Sequence, residues 1–380
     1  MTPDYAGGSL VNLMASLVEG RGGAARHARL RELAASEVSS ARNVVLLVID
    51  GLGARYLARR GAGGELARRN RATITSVFPP TTASAITTTY TAWSPLEHGL
   101  TGWFAYFGDA ACVGAPLPFT SRGSGASLFA RSVLPRDLYR ASPVFGAMRC
   151  RSIVVTYRDI VDSAYNVHHC EGAERIAYEH IDELPGAVAR AVKSGDDRKF
   201  VYAYWPDYDR VSHRYGSQSG EAFAQLQAVD EAFGRVLAAL SGTDSLVVAT
   251  ADHGFVDSAP EECLELPPSL AALLRFPLCG ERRAAYCHVG DADSFAKNAK
   301  DWLGDRADVV PSASLVDEGW FGPGPAHPRF AERIGDVTLV MRARYTIKDW
   351  VAGEARHLHI GNHGGTSEDE MLIPLIVAAA

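Results

Sequence analysis

The chain has 380 residues, enough for two or three domains at about 150 residues each. Its 47% hydrophobic and 22% charged content is that of a globular protein with a large core, not of a disordered or fibrous chain. A net charge of −6 argues against a nucleic-acid polymer as the main partner. No apolar run reaches the roughly 18 residues of a membrane span.

The first residues, MTPDYAGGSLVNLMASLVEGRGG, lack the basic start and compact apolar core of a secretory signal. Leu10 to Val18 reads as a short amphipathic docking helix within an N-terminal segment, residues 1–42. Cysteines 112, 150, 170, 263, 279 and 287 show no CxxC spacing. They read as free thiols in a reducing compartment, so a cytoplasmic location is expected.

Asn43–Ile49 (NVVLLVI) is a continuous apolar run of strand length, as in strands buried on both faces of a parallel sheet. It ends in Asp50-Gly51. Helical patterning follows over Ala54–Arg69. Pro79-Pro80 forces an extended arrival, after which Thr81 or Thr82 can cap a helix starting at Ala83. Free N–H groups and the positive dipole end at such a start favour an anion. The Gly/Ser-rich aromatic stretch 103–127 reads as irregular surface. Strands are expected at Ser152–Thr156, Lys199–Trp205 and Ser245–Thr250, a helical pair at 173–193 broken at Pro185, and a long one-faced helix through Phe223, Leu226, Val229, Phe233, Val236 and Leu240. Met371–Ala378 closes the chain as another apolar run.

Alternating strands and helices imply an α/β fold with a mostly parallel central sheet flanked by helices. Residues 258–350 look different, with a strand at Arg283–Val289, a helix at Asp293–Leu303 and a strand at Val337–Arg342. They are expected to form a small inserted α+β lobe, leaving 43–257 and 351–380 as the core.

Three apolar strands end in an acid: Asp50, Asp209 after a short turn, and Asp252. Any one of them is an ordinary turn residue. Together, with His213 four residues after Asp209, His253 beside Asp252 and His363 between Asn362 and a glycine pair, they make a metal-ligating set at the carboxyl ends of strands, where open α/β sheets bind ligands. Oxygen and nitrogen donors without cysteine suit a catalytic site for zinc, or manganese or iron.

The ordered motifs VIDG (48–51), FPPTT (78–82), PLEHG (95–99), DRVSH (209–213), ADHG (251–254) and HGGTSEDEMLIPLI (363–376) resemble the alkaline phosphatase superfamily, and within it the type I phosphodiesterase/nucleotide pyrophosphatase family. The resemblance implies two divalent metal ions, most simply Zn2+. Asp209, His213 and His363 would hold one; Asp50, Asp252, His253 and the Thr82 hydroxyl would hold the other. It implies Thr82 as nucleophile, a phosphothreonine intermediate and a small phosphorylated substrate carrying a phosphodiester or pyrophosphate bond. A phosphomonoesterase or phosphonate hydrolase would share these ligands, and a non-catalytic phospholigand-binding protein is the rival from another class. The sequence departs from the family at Trp103, where diesterases carry an asparagine that donates to a phosphate oxygen. Asn166 or Arg158 is expected to replace that donor, with Tyr208 lining the pocket. His357 and His359 read as lobe or surface residues.

Overall fold

The computed structural model describes all 380 residues. At its centre is a seven-stranded sheet: β1 (Asn43–Ile49), β2 (Asn70–Thr75), β3 (Arg151–Tyr157), β4 (Glu174–Tyr178), β5 (Lys199–Trp205), β6 (Ser245–Thr250) and β7 (Leu372–Ala379), in the spatial order β2-β7-β6-β1-β5-β3-β4. β1 pairs in parallel with both β5 and β6, and only β7 runs against its neighbours. All residues of β1, β5 and β6 are buried, as their unbroken apolar sequences require. The expected α/β architecture is the one observed.

The register decides where the motifs meet. Ile49 lies opposite Trp205 and Val48 opposite Thr250, so the chain leaves three adjacent strands at one level, the carboxyl edge. The antiparallel β7 starts at that same edge, with Leu372 opposite Thr75. The segment before β7, which carries His363, therefore meets the segment after β2, which carries Thr82.

Several expectations are corrected. The helix expected at Leu10–Val18 runs over α1 (Leu10–Gly20), with ten of its eleven residues buried and six of them in the main core rather than one amphipathic face. Gly61 to Gly64 splits the Ala54–Arg69 pattern into two short helices, Ala54–Arg60 and Glu65–Arg68. The region 173–193 holds the edge strand β4 followed by a helix at Leu184–Lys193, with Pro185 in the first turn, where a missing N–H costs nothing. The stretch 103–127 contains a three-stranded antiparallel sheet. The long amphipathic helix runs Gly220–Ala239 behind the cap Ser219.

Residues 258–350 contain the expected strands and helix, here Ala284–Cys287, Ala292–Leu303 and Val337–Met341, within a four-stranded sheet over its own apolar cluster. A further cluster joins this region to the core through Phe78 and Met371. Beside it Arg283 donates to both oxygens of Glu370, at 3.0 and 2.8 Å, with both side chains buried. Burial alone would raise the Glu370 pKa, but the Arg283 charge and the Ser367 hydroxyl hold it below the usual range. Glu370→Ala strands a buried guanidinium and removes the acceptor of the Gly365 N–H. Breaking one partner of such a pair should cost about 3–5 kcal/mol in chemical denaturation. A loss within experimental error would mean that water reaches the site.

Candidate active site

Each putting-together of the site follows from a strand end. Asp50 is the first residue past β1; its Oδ2 accepts from the hydroxyl of Tyr204 on β5. Asp252 follows β6, and its Oδ1 accepts from the N–H groups of Gly51 and His253 at 2.9 and 3.0 Å, which turns Oδ2 inward. Gly51 has a positive φ of 79°, and a side chain there would strike Phe255, so the turn requires glycine. Asp209 and His213 share one face of helix α2 (Asp207–Tyr215), with His213 Nε2 at 3.3 Å from Asp209 Oδ1.

The three histidines present Nε2 to one another and to the carboxylates. His213 Nε2 lies 3.2 Å from His363 Nε2, and His363 Nε2 3.8 Å from Asp209 Oδ1. His253 Nε2 lies 3.3 Å from Asp50 Oδ1, 3.4 Å from Asp252 Oδ2 and 3.9 Å from Asp209 Oδ1. Nδ1 of His213 faces the Gly361 carbonyl at 2.8 Å, and Nδ1 of His253 faces the Gly254 carbonyl at 3.1 Å. Those carbonyls hold the proton on Nδ1 and leave each Nε2 with a free lone pair, the tautomer a metal needs.

The donors fit two cations. Asp50 Oδ1, Asp209 Oδ1 and Asp252 Oδ2 are buried without a hydrogen-bond donor, an arrangement that is costly unless a cation completes it. Asp209 with His213 and His363 forms one compact group, and Asp50, Asp209 and His253 another. Asp209 thus reaches both groups, where the motif pattern gave it to one.

Thr82 is the first residue of the helix Thr82–Thr91, and Thr81 is its N-cap. The helix begins one residue earlier than the expected Ala83. Thr82 Oγ1 sits 3.3 Å from His253 Nε2, at the second donor group. Thr81 turns the other way and donates to Glu281 Oε1 at 2.5 Å. The backbone N–H of Trp103 donates to that same oxygen at 2.7 Å. Burial pushes the Glu281 pKa up to about 7, against the pull of these two donors. No motif marks Glu281, which arrives from the 258–350 region, and sequence reading missed it.

These groups open into a cleft of about 340 Å³ lined by Thr82, Asp209, His213, His363, Trp103 and Glu281 among others. The expected substrate contacts divide. Trp103 lines the cleft and is 41% exposed. Tyr208 does not; it is buried against Tyr56. Asn166 is spent inside the core, accepting from the Tyr90 hydroxyl and donating to the Val161 carbonyl, both at 2.9 Å. Arg158 is ion-paired with Glu179 beyond β3, away from the cleft. His357 and His359, expected at the surface, line the cleft. The His168-His169-Cys170 run joins no metal-binding group, since His169 packs in the core with Nδ1 on the Tyr165 carbonyl.

Without a cation the carboxylates resist ionisation together. Burial, then the Asp50 charge, pushes Asp252 up to about 8; burial raises Asp50 to about 6 despite the Tyr204 hydroxyl. A carboxyl whose folded pKa exceeds its unfolded value binds its proton more tightly when native. Its contribution is full below an unfolded pKa of about 4 and is lost as pH rises through the folded value. The metal-free protein should therefore lose stability between about pH 4 and about pH 8 relative to the zinc-loaded form. The gap between the two melting temperatures should widen with pH; a constant gap would contradict this.

The fold has relatives of known structure. Murine ectonucleotide pyrophosphatase/phosphodiesterase 5, in an inactive form in complex with AMP, superposes with a TM-score of 0.66 at 15% identity, covering 87% of each chain. The human counterpart gives 0.64 at 15% identity, covering 88% of this chain and 87% of that one. Phosphonoacetate hydrolase from Sinorhizobium meliloti 1021, in complex with phosphonoacetate, gives 0.63 at 17% identity, covering 89% and 90%. At these identities the likeness speaks for the fold alone. No curated protein matches the chain. The model of type I phosphodiesterase/nucleotide pyrophosphatase matches residues 44–366, from β1 to just past His363, and the chain belongs to that family.

Proposed function

We propose that this protein is a two-metal phosphohydrolase that cleaves a phosphodiester or pyrophosphate bond through a phosphothreonine intermediate. The observation that carries the reading is Thr82 Oγ1 at a helix start, 3.3 Å from His253 Nε2, amid buried carboxylate oxygens that lack donors. Asp209, His213 and His363 would hold one divalent cation, and Asp50, Asp252, His253 and Thr82 the other. Bound there, the cations would supply charge neutralisation and acidify the Thr82 hydroxyl, with zinc the simplest choice for this donor set.

The chain's own residues do the rest. The first-turn N–H groups of the Thr82–Thr91 helix have no intrahelical acceptor and would favour a phosphate bound at its start. Glu281 holds Thr81 and fixes the cap from which Thr82 projects. Thr82 Oγ attacks phosphorus in line, the bond to the leaving group breaks, and water then releases the phosphoryl group from the threonine. Trp103 lines the cleft with an indole, which would offer a leaving group a flat face and one N–H donor where an asparagine would offer an amide.

A second reading, hydrolysis of a phosphonate or a phosphomonoester, uses the same donors. It is favoured by Trp103 standing where family diesterases carry asparagine. A panel of bis-aryl, mononucleotide-aryl and monoaryl phosphates with the zinc-loaded protein separates the two. Diesters are expected to be cleaved with the higher kcat/KM. A monoester preference of about tenfold, about 1.4 kcal/mol of transition-state binding, would transfer the assignment to the second reading.

A further inference from the structure

Tyr202 and Tyr204 stand two residues apart on β5 and so point to the same face of the central sheet. Both are buried. The Tyr202 hydroxyl bonds Thr89 Oγ1 at 2.9 Å, on the helix that Thr82 opens. The Tyr204 hydroxyl goes elsewhere and donates to Asp50 Oδ2. The register brings these two together. Tyr204 lies opposite Val48, and the Asp50 N–H continues the ladder by donating to the Trp205 carbonyl at 2.9 Å. Asp50 therefore follows Val48 on the face that carries Tyr204, one step nearer the carboxyl edge.

The two oxygens of Asp50 end in different states. Oδ2 has the tyrosine as its donor. Oδ1 is buried without a donor and lies 3.3 Å from His253 Nε2. We propose that Tyr204 is a positioning residue of the metal centre: by occupying Oδ2 it makes Asp50 a one-oxygen ligand and commits Oδ1 to the cation shared with Asp252, His253 and Thr82. This inference rests on the two-cation reading of the site and deepens it. A carboxylate has two equivalent oxygens and turns about its last side-chain bond, so it presents a defined atom only when the other one is held. A hydroxyl on a carboxylate makes a strong, charge-assisted bond, well suited to that task. Asp252 is held in the same way, with Oδ1 taken by the Gly51 and His253 N–H groups and Oδ2 left over. Backbone holds the spare oxygen there. At Asp50 a side chain does, and one substitution can remove it.

The zinc affinity of Tyr204→Phe, measured by competition with a chromophoric chelator, tests this, with Tyr202→Phe as the control. Phenylalanine keeps each ring and deletes one buried hydroxyl, so both variants lose a buried hydrogen bond. Melting of the metal-free proteins reports that common cost. Tyr204→Phe is expected to weaken one of two zinc equivalents about tenfold to a hundredfold and to leave the other at its wild-type affinity. Tyr202→Phe is expected to keep both. The visible absorption of the cobalt-loaded protein should change in Tyr204→Phe alone, because only there is the hold on a ligand oxygen lost. Wild-type zinc affinity in Tyr204→Phe, tighter binding, or equal weakening of both equivalents overturns the inference and leaves the two cations standing. A wild-type protein that holds no zinc overturns the two-cation reading, and the inference with it.

Discussion

Thr82→Ala should lower kcat by several orders of magnitude while the fold and at least one metal remain. Subtracting one hydroxyl from a helix start leaves every carboxylate and imidazole of the two donor groups in place. If the threonine oxygen forms the covalent bond, nothing nearby replaces it, because the Thr81 hydroxyl points to Glu281. Thr82→Ser offers the same oxygen and should keep appreciable activity. Thr81→Ala removes no capping bond, since the Thr81 hydroxyl serves Glu281 and not the helix N–H groups, so only a small loss of stability is expected. It also frees Glu281, so a modest loss of activity should accompany any loss of stability. Rapid acid quench with labelled substrate should trap phosphate on the peptide that contains Thr82. Near wild-type turnover in Thr82→Ala would end the covalent mechanism.

The second large effect belongs to Asp209. Its Oδ1 takes part in both candidate metal groups, whereas His363 belongs to one. Asp209→Asn removes the charge between them and should take the metal content from about two per chain to well under one, with activity lost in parallel. His363→Ala should lose one metal preferentially. Mass spectrometry of the dialysed proteins reads both results. Asp209→Asn retaining one full equivalent would assign that aspartate to a single cation.

The candidate ligands Asp50 and Asp252 were legible because each follows a strand whose apolar run is unmistakable, NVVLLVI before Asp50 and SLVVAT before Asp252. Buried parallel strands write themselves plainly into sequence, and the ends of such strands are where the chain must turn. The edges are harder. β2 (NRATIT) and β4 (ERIAY) are short and half exposed, so their composition carries little apolar signal, and β4 was read as helix. The substrate contacts failed for another reason. Asn166, Arg158 and Tyr208 are chemically suitable, but side-chain direction is set by packing that no local pattern encodes. Glu281 was invisible, and His357 and His359 were read as lobe or surface residues, because all three reach the cleft only through tertiary placement of the 258–350 region and the segment that follows it.

Glu281 also limits how modular this protein is. A single carboxylate oxygen of the 258–350 region fastens Thr81, the residue before Thr82, and the backbone at Trp103. Exchanging the lobe for that of a relative, to transplant specificity, is therefore not a cut at two loop boundaries. A donor segment without a carboxylate at this place would leave the N-cap of the Thr82–Thr91 helix untethered. Chimeras should work only when positions 81 and 281 travel together, since Trp103 offers Glu281 only a backbone N–H, which ties the 258–350 region to the candidate site.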